Sequence, residues 1–474
     1  MIFTSFEYAG FLAVVVALNW LLPPRARPVL LLVASFAFYA TWSVPALAIL
    51  GAVCAVAWGA GLAIPRLDDG RARLLTGVAV ALCASSLGVF KVIESLGFED
   101  PGGFAGQFVV PVGLSFFSFQ AISYVVDVRR GDVETHRSPV DVALFVSFFP
   151  HLLAGPIVRA DKLIPKFHGT GRRPDPVRWN EAVELVLVGT FKKVAVADPL
   201  LLLGIETYRD GPMPGPVGAL LALTAVLVGG YFDITGYIDI ARGSAKFLGI
   251  DMQRNSLLPL LRSTGYADFW RRWQLTVMMW FRDYVFLPLR GRHRVAWREH
   301  VALFGTFFVL GVWHGLTVGW ALWGVASGVI IVVERTIQGR RAAARRAQRR
   351  RARQARDRSM LPRPPDPRIS LAIALVLVMA TFPLVGAERL SDLGDLYGPF
   401  VNWDGPAPSA DLVWMTALAL VALQFVDRRE QRREDRAGTP DPVNLPRAVA
   451  FGAMVVAIVV FSGPAPQSFL YFAF

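Results

Sequence analysis

The 474-residue chain is 54% hydrophobic and only 18% charged, with a mean hydropathy of +0.46. A water-soluble chain of this length needs roughly a quarter of its residues charged to wet its surface, so composition excludes that class and points to a polytopic membrane protein. The net charge of +13 is local: residues 338–368 hold twelve Arg against Asp357 and Asp366, and the remainder is only slightly basic.

Apolar runs of about 15 to 25 residues, the length that crosses a bilayer as helix, fall at 8–22, 28–44, 46–64, 74–97 and 108–127. After a polar middle they resume at 183–205, 217–240, 301–333 (long enough for a tight pair), 369–387, 412–426 and 448–461. The expected fold is all-α, with about 11–13 transmembrane helices. Residues 1–10 carry no basic cluster of the kind that opens a cleavable signal, so the first run is expected to stay as a membrane helix. Cys54 and Cys83 lie within apolar runs, which argues against a disulfide framework or a cysteine metal site.

Orientation follows from the basic residues in short connections, which are retained in the cytoplasm. Arg25 and Arg27, then Arg66, Arg71 and Arg73, then Arg129, Arg130 and Arg137 occupy alternate connections, while Glu99 and Asp100 occupy one between. The N-terminus is therefore expected outside. By the same alternation the Arg-rich segment is a partly disordered cytoplasmic loop, and residues 388–411, with five carboxylates against one Arg, are external. Basic groups mixed with aromatics also occur in nucleic-acid interfaces, but here they adjoin spans throughout, which favours anionic membrane lipid and no nucleic acid.

Two stretches do not read as simple spans. Residues 111–167 repeat Gly, Pro and aromatics, and a re-entrant element is expected near 147–158, because a broken helix at membrane depth must line protein or a wet cavity. Residues 263–292 interleave Trp270, Trp273, Trp280 and Tyr284 with Arg271, Arg272, Arg282 and Asp283, which suits an interfacial or re-entrant helix.

Five of the six histidines lie in or beside connections; only His314 sits inside an apolar run, TFFVLGVWHGLTVGWALWG. A histidine at membrane depth faces a cavity or a partner, so His314 is the leading functional candidate, against the plainer reading of a packing histidine between helices. Gly311, Gly315 and Gly319 around it also permit close helix approach. No phosphate-binding loop, zinc-type His-Glu spacing or serine-nucleophile elbow appears. General-base transfer between two bound substrates remains.

The chain resembles the bacterial branch of the membrane-bound O-acyltransferases, which includes alginate O-acetylases, peptidoglycan O-acetyltransferases and the D-alanine exporters of teichoic acid synthesis. The resemblance runs through LLVASFAFYATW, PVGLSFFSFQAISYVVDVRRG, FVSFFPHLLAGPIVR, GTFKKVAVAD, YFDITGYIDIARGSAKFLGI, DFWRRWQLTVMMWFRDYVFLPLRG, GVWHGLTVGWALWG and the terminal FLYFAF. It implies one membrane domain over 1–474, with N-terminal helices (1–130), a catalytic core with re-entrant segments around a central waist (131–337), the Arg-rich loop (338–368) and C-terminal helices (369–474).

The same resemblance places the family's catalytic histidine on His314, after Trp313. It implies no bound cofactor, a donor that is a coenzyme A thioester or a phosphopantetheinyl acyl carrier, and acetyl as the common cargo. The acceptor would be a hydroxyl of an extracellular glycan, a lipid-linked sugar or a lipid, the setting a bacterial inner membrane, and a secreted or anchored hydrolase-like protein a plausible partner. Asp268, Arg272, Arg282 and Asp283 match the family pattern, Arg271, Arg272 and Arg282 could meet the phosphates of the donor, and Asp233, Tyr237 and Asp239 set polar groups within a span. Each of these also reads as part of an internal polar network. One departure stands out: a second histidine usually follows the Trp-Arg-Arg-Trp stretch, and here that position is Gln274. Glutamine cannot exchange a proton near neutral pH, although its amide can orient a carbonyl. A silent scaffold that docks an acyl carrier, or a transporter, is the rival reading; no related halves of the transporter kind are evident.

Overall fold

The computed structural model describes residues 1–95, 112–153, 155–169, 171, 173–255, 260–292, 295–355, 366–435 and 445–463. Glu99, Asp100, Ala154, His293, the end of the Arg-rich segment (356–365), the terminal FLYFAF and parts of the runs 74–97 and 108–127 lie outside the described residues. Among the described residues the elements are helical throughout. In chain order they are α1 (Phe6–Leu21), α2 (Arg27–Ala40), α3 (Val44–Ala63), α4 (Asp69–Ser95), α5 (Leu114–Arg130), α6 (Pro139–Ser147), α7 (Phe149–Leu152), α8 (Ala160–His168), α9 (Pro176–Thr190) and α10 (Asp198–Ile205). There follow α11 (Pro216–Phe247), α12 (Tyr266–Trp273), α13 (Leu275–Phe281), α14 (Leu287–Arg290), α15 (Ala296–His314), α16 (Val318–Ala355), α17 (Pro367–Thr381), α18 (Leu393–Tyr397), α19 (Ala410–Asp435) and α20 (Leu445–Phe461).

Five described segments are long and apolar enough to cross a membrane: Val44–Arg66, Asp69–Val89, Pro216–Phe247, Val318–Ala352 and Pro367–Gly386. Shorter apolar helices, α1, α2, α20 and Ala410–Val426 of α19, coincide with further predicted runs. The protein is an all-α polytopic membrane protein. The run 301–333 does resolve into a pair, α15 and α16, joined by the three residues Gly315, Leu316 and Thr317.

The Arg-rich segment departs from expectation. It is not a loop as far as Ala355 but the continuation of α16, a helix of 38 residues. Its composition explains this, since Ala and Arg are among the strongest helix formers and nothing in 340–355 competes for the backbone.

The chain divides into two compact units. One comprises Met1–Leu202, Leu227–Asn255 and Gly438–Phe474; the other comprises Leu203–Val226 and Ser256–Ala437.

In the first unit, aromatic rings fill the space between helices. Phe3 stacks on Tyr8 and on Tyr237, with centroids 4.4 Å apart in both cases, and Phe11 meets Phe149 edge to face at 5.2 Å. The expected break near 147–158 is present: α6 ends at Ser147, Phe148 leaves helical geometry, α7 lasts one turn, and residues 155–159 form no helix or strand, with nearly all described side chains here buried. Two neighbouring π-helical lysines are among the charges this unit buries. Lys192 Nζ donates to Asp239 Oδ2 at 2.6 Å, and Lys193 Nζ lies 2.7 Å from both Asp198 Oδ1 and Asp233 Oδ1. The wide turn Phe191–Ala197 presents both ammonium groups to α11, and Gly189 and Gly236 allow the approach, because a Cβ on either would press on the backbone of the other.

In the second unit the α15–α16 hairpin is closed by small residues. Gly311 faces the Trp320 carbonyl and Gly324, Gly324 faces the Phe307 carbonyl, and Gly328 lies against Phe304, so the backbones approach as only glycine allows.

Candidate active site

His314 is the last residue of α15, because Gly315 turns extended (φ −166°, ψ 150°) and begins the hairpin connection. Thr317 starts the next helix by accepting a hydrogen bond at Oγ1 from the Trp320 N–H at 3.3 Å. That turn folds Trp320 back over the histidine. The two rings stack at 4.5 Å with planes only 14° apart, Trp313 lies 4.5 Å from the imidazole at 52°, and Trp323 meets its edge at 6.1 Å and 87°. A Cβ at Gly315 would overlap the Trp320 ring, so the stacked arrangement depends on glycine there. His314 itself is half-buried, whereas Trp313 and Trp323 are buried. A ring clamped on three sides and still partly open is oriented without being sealed away.

The segment 263–292 is a chain of short helices rather than one. It bends at Gln274 (φ −138°, ψ 80°), which ends α12 and starts α13 and is 9% exposed. Both arms of this bend pack on the tryptophans that flank the histidine. Trp270 of α12 stands edge to face with Trp323 at 5.4 Å, and Phe281 of α13 packs on Trp313 at 5.7 Å. Gln274 is thus held at the corner of an element whose two sides both reach the aromatic surround of His314.

α12 is fixed by polar contacts at its start. The Tyr266 hydroxyl pairs with Ser327 Oγ at 2.7 Å and Thr381 Oγ1 at 3.1 Å, and the Ala267 N–H donates to Glu334 Oε2 at 3.1 Å. Asp268 is equally committed, receiving the Thr264 N–H and Arg272 Nε, each at 3.0 Å, together with Arg271. Burial opposes its ionisation, but the Thr264 N–H and the two guanidinium groups outweigh burial and hold its carboxyl below the usual carboxylate range. Asp283 is buried in the π turn Arg282–Phe286 and accepts from Arg282 at 2.7 and 3.1 Å. The Arg271 and Arg282 side chains are each 56% exposed, so both cations remain open while their carboxylate partners are inside.

Of the residues singled out from sequence, His314, Trp313, Gln274, Asp268, Arg271, Arg272, Arg282 and Asp283 belong to the second unit, while Asp233, Tyr237 and Asp239 belong to the first. In that unit the two carboxylates meet lysines and Tyr237 stacks on Phe3. Sequence reasoning missed Trp320, Trp323, Glu334 and the lysine pair. The spacing of Trp320 and Trp323, three apart on one helix face after the Trp-His-Gly turn, was the available signal for the first two.

The family model for MBOAT, the membrane-bound O-acyltransferase family, matches residues 112–356. The chain is 30% identical over 516 aligned positions to a probable alginate O-acetylase AlgI of Pseudomonas putida, with all of both chains covered. It is 27% identical to the peptidoglycan O-acetyltransferase of Helicobacter pylori, over 70% of this chain and 68% of that one. To the teichoic acid D-alanyltransferase of Bacillus subtilis it is 25% identical, over 53% of this chain and 66% of that one. The family match and the helical membrane fold are those of a membrane acyl-transfer enzyme. The chain belongs to the membrane-bound O-acyltransferase family, and it is an O-acyltransferase.

Proposed function

We infer that the protein moves an acyl group, acetyl in the simplest case, from a cytoplasmic thioester to a hydroxyl of an extracellular glycan. The relatives named for alginate and peptidoglycan acetylation favour a glycan over a lipid-linked sugar or a lipid. The observation that carries the reading is the half-open imidazole of His314 within its tryptophan clamp.

His314 takes the proton of the acceptor hydroxyl as the oxygen attacks the thioester carbonyl. The carbon–sulfur bond then breaks, the ester forms, and the proton leaves with the thiolate as a thiol. An imidazole suits both halves of this exchange near neutral pH. Gln274 is assigned a supporting role, its amide donating to the carbonyl oxygen as negative charge gathers there. Trp313 packs the histidine in place. The open guanidinium groups of Arg271 and Arg282, with Arg272 behind them, suit the phosphates of a coenzyme A thioester or the phosphopantetheine of an acyl carrier. No cofactor is bound in this scheme; the donor is a substrate.

The setting is a bacterial inner membrane, with the N-terminus outside and the end of α16 in the cytoplasm, by the bias of basic residues. A secreted or anchored hydrolase-like protein would complete transfer onto a polymer. The test compares envelope glycans by mass spectrometry in cells with the wild-type chain, with none, and with His314→Ala. Acetyl-sized mass increments that appear only with the wild type bear the reading out. Identical glycans in all three would reject it.

A further inference from the structure

Behind α12 lies an apolar groove between α16 and α17 with a volume of about 310 Å³. Val329, Val333 and Ile337 form a stripe at four-residue spacing along α16, and Ile373 and Leu377 face it from α17. Val329, Val333, Ile337 and Ile373 are between 42% and 55% exposed, in spans long and apolar enough to lie in a bilayer, so the groove is open along its apolar length.

Its floor is Gly265 and Tyr266, and its far end is Arg341. From Val329 to Arg341 α16 rises by about 18 Å, so the groove is elongated, apolar for most of that length and cationic at one end. Arg345 follows one turn beyond Arg341 on the same helix face, where the basic run begins. The one acidic group lining the groove, Glu334, is already engaged, accepting the Ala267 N–H at 3.1 Å and Gln338 Nε2 at 2.8 Å. The shape asks for a hydrocarbon chain ending in an anion.

We propose that this groove binds one acyl chain of an anionic phospholipid, with its phosphate at Arg341 and Arg345 and its chain along Val329, Val333 and Ile373. Occupancy also fills the space beside the Glu334 contact that anchors α12, so the lipid braces the helix that carries Arg271 and Arg272.

The full-length protein, purified in detergent, is offered phosphatidylglycerol or phosphatidylcholine with matched chains, and retained lipid is counted by native mass spectrometry. The wild type should retain one phosphatidylglycerol in preference to phosphatidylcholine. A basic group near an anionic headgroup is worth a factor of about five, so Arg341→Glu should lower that preference about fivefold or more. Val333→Trp, which fills the groove from an exposed position, should remove the retained molecule, whereas Phe425→Trp on α19 should not. All variants are checked for an unchanged thermal transition. Equal retention of the two lipids by the wild type, an unaltered preference in Arg341→Glu, or retention by Val333→Trp would overturn the assignment. Displacement of the lipid by inorganic phosphate, or by acetyl-coenzyme A alone, would also overturn it, the latter by making the groove a donor channel. The readout is binding, so its failure leaves the proposed transfer reaction standing, and failure of that reaction leaves this site standing.

Discussion

His314 and Gln274 each sit at a bend of the second unit, one at the end of α15 and the other between α12 and α13. Bends expose backbone and side chain that a continuous helix would sheathe, which is how an apolar segment can present polar atoms to a substrate. The scheme gives them unequal work, because the imidazole carries a proton and the amide only donates. Gln274→Ala should therefore lower turnover by less than the two to four orders of magnitude expected for losing a general base. Gln274→His should be tolerated, since the corner accepts a side chain of similar reach. Steady-state kinetics on both variants checks this, and equal abolition by Gln274→Ala and His314→Ala would contradict the unequal division of work.

At the scale of elements, the decisive contrast is between the open arginines of 263–292 and the buried ion pairs of the first unit. Lys193 is 5% exposed and shared by Asp198 and Asp233, an arrangement that offsets the cost of burying charge only while complete. Lys193→Ala is expected to cost about 3–5 kcal/mol of stability, the range for removing one partner of a buried pair. It should leave the donor and acceptor KM unchanged in the protein that still folds. Thermal unfolding in detergent together with initial rates separates the two roles. A raised KM with unaltered stability would instead place Asp233 and Asp239 at the substrate site. The helices themselves were readable as apolar runs, and His314 stood out as the one histidine within such a run. The bend at Gln274 was not readable, because no Pro or Gly marks it and tertiary packing on Trp313 and Trp323 imposes it. The lysine pairing with α11 was hidden for the same reason, joining residues about forty apart that only packing brings together. Charge density in the basic run suggests a loop, but the helix propensity of Ala and Arg prevails as far as Ala355.

For the whole molecule, the direction of transfer rests on which ends of the spans lie outside. The proposed orientation, argued from the positive-inside bias, has the basic end of α16 in the cytoplasm and residues 388–411 outside. Cys54 and Cys83 are buried and give little background to an impermeant thiol reagent. Ser391→Cys should react with that reagent in intact cells, and Gln348→Cys only after the membrane is opened. The opposite pattern would reverse the orientation and with it the side from which the thioester arrives.

The central claim is that the clamped imidazole of His314 moves the proton in acyl transfer. Full-length wild type and His314→Ala, reconstituted in vesicles, are compared for transfer of labelled acetyl from acetyl-coenzyme A to an oligosaccharide hydroxyl, with unfolding temperatures measured on the same samples. The account predicts a loss of about two to four orders of magnitude in turnover with the unfolding temperature nearly unchanged. Turnover close to that of the wild type in a stably folded His314→Ala protein would contradict it.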